Sequence, residues 1–303
     1  MLACVPAWSC ADAAPLPDCA RPERFAAAAL PADRAPRIVL LQGSLGIVTM
    51  APLGEFLAAM GYPARQLADP RTGELTTDSD LDGRVLAGML AWQVERDGVR
   101  PMLVGHSKGG GVVIDTLRAL AGLAGRDLPV VDPRTGLAEA RDAIVDPLSG
   151  DEIRVTDLRL PYAAAIATGR WPRYLRGQFE LGRVLREIPD SVRRFTGFTI
   201  PFDPIAGSFA GDEDPYRAIG GARVRNVVLP AATSHIGAPL TAHLARERAT
   251  REFIEHYRPG SDAREPAEAD TSNLMLAAEL WYDIKRAWCD EATRAAQPLR
   301  SRN

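Results

Sequence analysis

The stretch Val99-Arg-Pro-Met-Leu-Val-Gly105-His-Ser107-Lys-Gly109-Gly-Gly-Val-Val-Ile-Asp-Thr-Leu117 decides how the chain is read. Its beginning is short and apolar, as a buried strand is, its end has helical spacing, and G-x-S-x-G runs between them from Gly105 to Gly109. Such a turn holds a serine in a strained backbone conformation at the end of a parallel strand. Glycine two places before and two places after the serine has a steric reason, because strand and helix backbones pass too close there for a Cβ. With 26 Gly and 11 Ser in 303 residues, chance produces the bare pattern in roughly one chain in ten. Context is what gives it weight: Met102 to Val104 supplies the strand and Gly110 to Ile114 the helix. A phosphate-cradling loop is the rival, but neither G-x-G-x-x-G nor G-x-x-x-x-G-K-[ST] can be written through these residues.

At 303 residues, 46% hydrophobic and 25% charged, the chain has room for one large α/β domain or two smaller ones. A net charge of −3 gives no general attraction to nucleic acid. Of 36 basic residues only Lys108 and Lys285 are lysine, a bias that names no partner. Cys4, Cys10, Cys19 and Cys289 contain no C-x-x-C, so a zinc or thioredoxin-type site has little support. Their even number fits two disulfides in an oxidising compartment, with three connectivities open and free thiols as the alternative. Met1 to Ala14 is apolar and small, like the tail of a secretory leader, and Leu2-Ala3-Cys4 is like a clipped lipoprotein box. The expectation is an exported protein, periplasmic or extracellular, with a cytoplasmic location left open. No apolar run reaches 18 residues, so no membrane span is expected.

Residues 1–35, rich in Ala and Pro, read as a surface arm. Arg37 to Gln42 reads as a central parallel strand, Leu53 to Met60 as a helix and Tyr62 to Leu67 as a strand. Asp69-Pro-Arg-Thr-Gly73 recurs at Asp132 to Gly136 and, varied, at Asp146 to Gly150; tight-turn chemistry explains each copy. Asp78-Ser-Asp80-Leu-Asp82-Gly83 opens like a calcium loop, but its twelfth place is Met89 instead of glutamate. Capping by Ser79 or Asp80 of a helix over Leu81 to Glu95 is the better account. A helix to about Ala124 and a strand at Leu128 to Val131 follow the Ser107 turn. Residues 134–194 then break the alternation, with a hairpin around Asp146 to Val155 and helical pieces at Tyr162 to Thr168 and Tyr174 to Glu187. Strands at Phe198 to Phe202 and Val224 to Leu229, a helix from Leu240 to His256, a polar linker over 258–273 and a helix from Leu274 to Ala295 complete the chain.

Ser107 needs a base, and among four histidines His235 stands apart. It lies in the loop that follows strand Val224 to Leu229, where catalytic groups collect in parallel sheets. His106 is inside the turn, while His243 and His256 fall within a helical pattern. Asp203, directly after strand Phe198 to Phe202, is the favoured carboxylate, with Asp212 and Asp214 as competitors. An oxyanion would be met by the backbone N–H of Lys108 and by Ser44 on the loop after the first strand.

The motif Gly105-His-Ser-Lys-Gly, the loop Gln42-Gly43-Ser-Leu-Gly46, Phe202-Asp-Pro-Ile-Ala and Ser234-His-Ile-Gly together resemble the α/β-hydrolase superfamily of lipases and esterases. The order Ser, acid, His is that superfamily's order. The resemblance covers roughly 36–133 and 195–257, with 134–194 where a cap lies in such enzymes and 258–303 as a linker and C-terminal helix outside it. It implies an α/β fold with a mostly parallel sheet, a triad of Ser107, His235 and Asp203, and hydrolysis of carboxylic esters through an acyl-enzyme. Two departures stand out: Gln42 where many members have His, and Lys108 where an apolar residue or Gln is common. Leu45, His106, Trp171 and Tyr174, with Phe179, are the residues expected against substrate, with aromatic core packing inside the cap as the equal alternative for Trp171, Tyr174 and Phe179. Eight arginines between Arg159 and Thr196 suggest an attraction for anionic substrates or a peripheral lipid contact; helices with i,i+4 pairs such as Arg176–Glu180 and Arg183–Glu187 are the plainer reading. The expected partner is a small or lipid-like ester, with no metal and no organic cofactor required. Thioester hydrolysis or acyl transfer by the same triad, and a non-catalytic binding protein on this fold, are the alternatives.

Overall fold

The structure, a computed structural model, describes residues 16–44, 48–175, 177–209 and 214–297. Their elements in chain order are β1 (Ile38–Leu41), α1 (Ala51–Ala59), α2 (Gly83–Asp97), β2 (Met102–His106), α3 (Lys108–Leu120), β3 (Ala143–Val145), β4 (Glu152–Arg154), β5 (Leu160–Ile166), α4 (Phe179–Val184), β6 (Glu187–Ile188), β7 (Val192–Thr199), β8 (Arg217–Ala218), β9 (Arg223–Val228), α5 (Arg248–His256) and α6 (Leu274–Ala296). Among the described residues five strands form the central sheet in the order β1-β2-β5-β7-β9, every neighbouring pair parallel. All five carboxyl ends therefore open onto one edge, where loops from different strands meet.

Alternation along each strand makes two layers around this sheet. Ile38, Leu40, Met102, Val104, Tyr162, Ala164 and Ile166 face a core shared with α1, α5 and α6. Val39, Leu41, Leu103, Ala163 and Ala165 face the other, shared with α2 and α3. The C-terminal helix, which the family resemblance does not cover, is a wall of the first core: Trp281 and Trp288 are fully buried. Trp288 packs edge-on against Tyr62 and donates its indole N–H to the Pro31 carbonyl at 3.2 Å. A disulfide joins Cys19 to Cys289, so the N-terminal arm is tied to α6. Cys4 and Cys10 lie outside the described residues.

Several expectations are corrected. Tyr162 to Thr168, read as helical within an insertion over 134–194, is instead strand through Ile166: Tyr162 to Ile166 belong to β5, the middle strand of the sheet. Its Leu-Pro-Tyr-Ala-Ala-Ala-Ile sequence has helix-forming alanines, but every residue is buried between two layers of helices, and packing overrides propensity. Pro161 is accommodated because pairing with β2 starts only at Ala163. β1 ends the described sheet instead of lying at its centre. It stays buried because residues 68–77 line its outer side, with Gln42 N–H bonded to the Thr77 carbonyl and Thr77 N–H to that of Leu40. Tyr62 to Leu67 is not a strand but contains a 3-10 turn at Ala64–Gln66. Leu128 to Val131 is apolar because it packs under α2, where Gly88 faces the Pro129 carbonyl, and among the described residues it forms a single bridge, from Val131 to Ala138, instead of a strand. The strand before Asp203 is Val192–Thr199. The helix expected over Tyr174 to Glu187 shrinks to Phe179–Val184, and Leu240 to His256 breaks into a 3-10 turn and α5 at an extended Glu247. Neither Ser79 nor Asp80 caps α2: Asp82 does, accepting from the Arg84 N–H at 2.7 Å. The expected hairpin is present as β3 and β4.

Candidate active site

The site is built by three strand ends and one turn. Between β2 and α3 the chain reverses at Ser107, whose φ is 54° and ψ −117°, a region L residues rarely occupy. Two glycines make the reversal possible. A Cβ on Gly105 would overlap the Gly109 carbonyl, and one on Gly109 would overlap the Leu41 carbonyl of β1. Ser107 N–H donates to the Ile166 carbonyl at 2.8 Å, which ties the turn to β5.

The loop after β9 brings in His235 and the loop after β7 brings in Asp203. Ser107 Oγ lies 3.0 Å from His235 Nε2, and His235 Nδ1 lies 2.6 Å from Asp203 Oδ2. Asp203 is 2% exposed; its Oδ1 accepts from the Ala206 N–H at 3.0 Å, and its backbone pairs in both directions with Ser208. The carboxylate is thus oriented before it meets the imidazole. The His235 loop is secured by Gly237 N–H on Ser234 Oγ and by Asn273, whose side-chain amide donates to the Gly237 and Leu240 carbonyls. The fold is that of the α/β-hydrolases. Its marks are a serine on the turn after a central parallel strand, with acid and histidine following later strands in that order.

His106, expected against substrate, is fully buried and lies instead beneath His235. Its Nε2–H donates to the His235 backbone carbonyl at 2.9 Å, and the two rings are 4.8 Å apart. Burial, reinforced by His235, lowers the His106 pKa to about 4, so the ring is neutral at ordinary pH. Sequence reasoning missed this support, since nothing local in Gly105-His-Ser shows what the ring will touch.

Gly43 of the loop after β1 comes close to the turn: a Cβ there would be 3.5 Å from Ser107 Cβ and 3.1 Å from His106 Nδ1. Ser44, next along, is exposed, while Leu45 lies outside the described residues. Lys108 opens α3, so its N–H is one of the donors that a helix start leaves without an intrahelical partner. Its ammonium pairs with Asp80 at the surface. Asp80, weighed from sequence only as a calcium or capping residue, therefore belongs to the surroundings of the turn.

Trp171 and Tyr174 lie on the segment after β5 and pack edge-on against each other and against Phe209 of the Asp203 loop, with ring centroids 5.9 to 6.3 Å apart. The Trp171 indole N–H donates to the Ile205 carbonyl at 2.9 Å. Phe209 was not singled out by sequence. The side chain of Phe179, together with Arg176 and Asp212, lies outside what is described. Asp214, the other competitor for the acid, holds Arg186 at 2.8 Å instead. The arginine-rich face is also smaller than expected, because Arg170, Arg186 and Arg194 are buried among carboxylate partners. Arg183 pairs with both Glu180 and Glu187.

No protein-family model matches the sequence, and no curated protein matches it. Solved structures overlay loosely on it, among them the following two. One is the esterase domain of a Rhodothermus marinus protein, with 16% identity over 75% of this chain and 87% of that one, and a TM-score of 0.35. The other is RedJ with a polyethylene glycol in its active site, with 14% identity over 86% of this chain and 97% of that one, and a TM-score of 0.32. Among the described residues no cluster of His, Cys, Asp and Glu has the arrangement of a metal site, and no helix is long and apolar enough to cross a membrane.

Proposed function

We propose that the protein is a serine hydrolase that cleaves carboxylic esters through an acyl-enzyme on Ser107. The observation that carries this is the unbroken hydrogen-bonded series from Ser107 Oγ through His235 to Asp203, on a serine held at positive φ. His235 takes the Ser107 proton as Oγ attacks the acyl carbon, and Asp203 holds the imidazole in the tautomer with its proton on Nδ1. The tetrahedral oxyanion is met by the Lys108 N–H and a donor of the Gly43-Ser44 loop. Its collapse passes the proton from His235 to the leaving alcohol. Water, activated by the same base, then attacks the acyl carbon and frees Ser107.

An apolar acyl group suits the rim of this site. Phe202, Ile205 and Ile236 are each more than half exposed, and all three lie on the loops that carry Asp203 and His235, with the Ile205 carbonyl bonded to the indole of Trp171 in the aromatic cluster. Single exposed apolar residues are ordinary, but contiguous ones mark a binding surface. The Cys19–Cys289 disulfide supports work in an oxidising compartment, and so export.

A series of p-nitrophenyl esters from short to long acyl chains tests the reading. Wild type should turn them over, and Ser107→Ala and Asp203→Asn should each lower kcat by about 10⁴-fold. Asp214→Asn should keep kcat within about tenfold, since that carboxylate holds Arg186 and stands apart from His235. Full activity in Ser107→Ala would overturn the proposal.

A further inference from the structure

At the opposite end of the sheet, a groove of about 340 Å³ lies between β7, β9, α6 and the residues after α5. Five arginines line it: Arg194, Arg223, Arg225, Arg258 and Arg286, with Tyr282 and Asp283. Arg194 and Arg223 are register partners at the amino ends of β7 and β9, whereas Asp203 and His235 follow the carboxyl ends of those strands. Six residues of strand put roughly 20 Å between the two sites.

The charges do not cancel inside the groove. Arg225 is taken up by Glu279 and Asp283 of α6, and Arg194 by Asp290. Arg223, Arg258 and Arg286 make no salt bridge or side-chain hydrogen bond among the described residues. Glu23, whose field reaches Tyr282, is shared with buried Lys285. Arg194 is nine-tenths buried on the groove wall, and its Nε–H has no acceptor among the described residues, a costly state for a buried donor. Arg258 and Arg286 also act on the Tyr282 phenol, which places both cations about one polar side chain.

Guanidinium groups present paired donors that match the oxygens of a phosphate, and several of them about one cavity bind it in preference to a carboxylate of single charge. The volume is that of a small-ligand pocket and not of a nucleic-acid track, in keeping with a net charge of −3. We propose that this groove binds the phosphate group of a phosphorylated ligand, remote from Ser107. The site stands whether or not the ester-hydrolase reading does, because it shares no residue with it.

The test is calorimetric titration of the full chain with inorganic phosphate and pyrophosphate at constant ionic strength, with sedimentation of phosphatidic acid vesicles as a second arm. Wild type should bind, pyrophosphate more tightly than phosphate. The triple variant Arg223→Gln, Arg258→Gln, Arg286→Gln should bind at least about tenfold more weakly, since it removes the charge-assisted donors. Arg134→Gln, paired with Asp132 elsewhere on the surface, should bind as wild type does. Binding of the soluble anions assigns the groove to a small phosphorylated molecule, and binding of vesicles alone to a lipid headgroup. No binding of either, or equal weakening in Arg134→Gln, would overturn the proposal. Thermal unfolding of each variant separates lost binding from lost folding, and ester hydrolysis should be unchanged in the triple variant.

Discussion

A serine at φ 54° is held against its own preference, and the strain is carried by neighbours that leave it no alternative. Ile166 takes its N–H, Leu41 and Gly109 close the space on either side, and His235 meets its hydroxyl. Below it, His106 has a measurable consequence. Its folded pKa of about 4 lies below the 6.5 of a free histidine, so the unfolded chain binds the proton first as pH falls. The stability due to the neutral ring is complete above pH 6.5 and is lost as pH falls from there to about 4, by at most about 3 kcal/mol. Urea unfolding at pH 7 and pH 4.5 checks this. His106→Gln, which keeps a donor toward the His235 carbonyl, should show a smaller loss between the two pH values than wild type. An equal loss would remove His106 from the account.

At the scale of elements, two neighbouring glycines of the same helix should behave oppositely. Gly109→Ala puts a Cβ into the carbonyls of Leu41 and Gln42, and should cost about 3 kcal/mol or more or prevent folding. Gly111 has nothing within 4 Å of such a Cβ, so Gly111→Ala should stabilise α3 by about 0.5–1 kcal/mol. Thermal unfolding compares the two. The same contrast shows what could be read in advance. Gly105 to Gly109 was legible because its constraint is local, and the meeting of Asp203 and His235 beside Ser107 because strand ends of a parallel sheet gather at one edge. β5 was not, because its alanines carry helix propensity and only the helices on both sides make them a strand. The single cap read over 134–194 followed from that missed strand. His106 beneath His235 and Phe209 beside Trp171 depend on contacts 129 and 38 residues apart, which no local pattern encodes.

Over the whole molecule, the first and last described segments close around the hydrolase fold. Cys19 and Cys289 are 270 residues apart, and α6 supplies much of one core. Cross-linking so long a loop restricts the unfolded chain strongly, so Cys19→Ser or reduction should lower stability by about 2–5 kcal/mol. Comparing thermal unfolding with and without reductant measures it, and identical curves would show that the bridge adds nothing. Activity should survive below the lowered transition, because the disulfide touches none of Ser107, His235 and Asp203. Those three residues hold the central claim, and a fluorophosphonate probe with peptide mass spectrometry tests it most directly. Wild type should carry one adduct, on Ser107, which Ser107→Ala loses; a folded wild-type protein that takes no label, or takes it on another residue, would contradict the account.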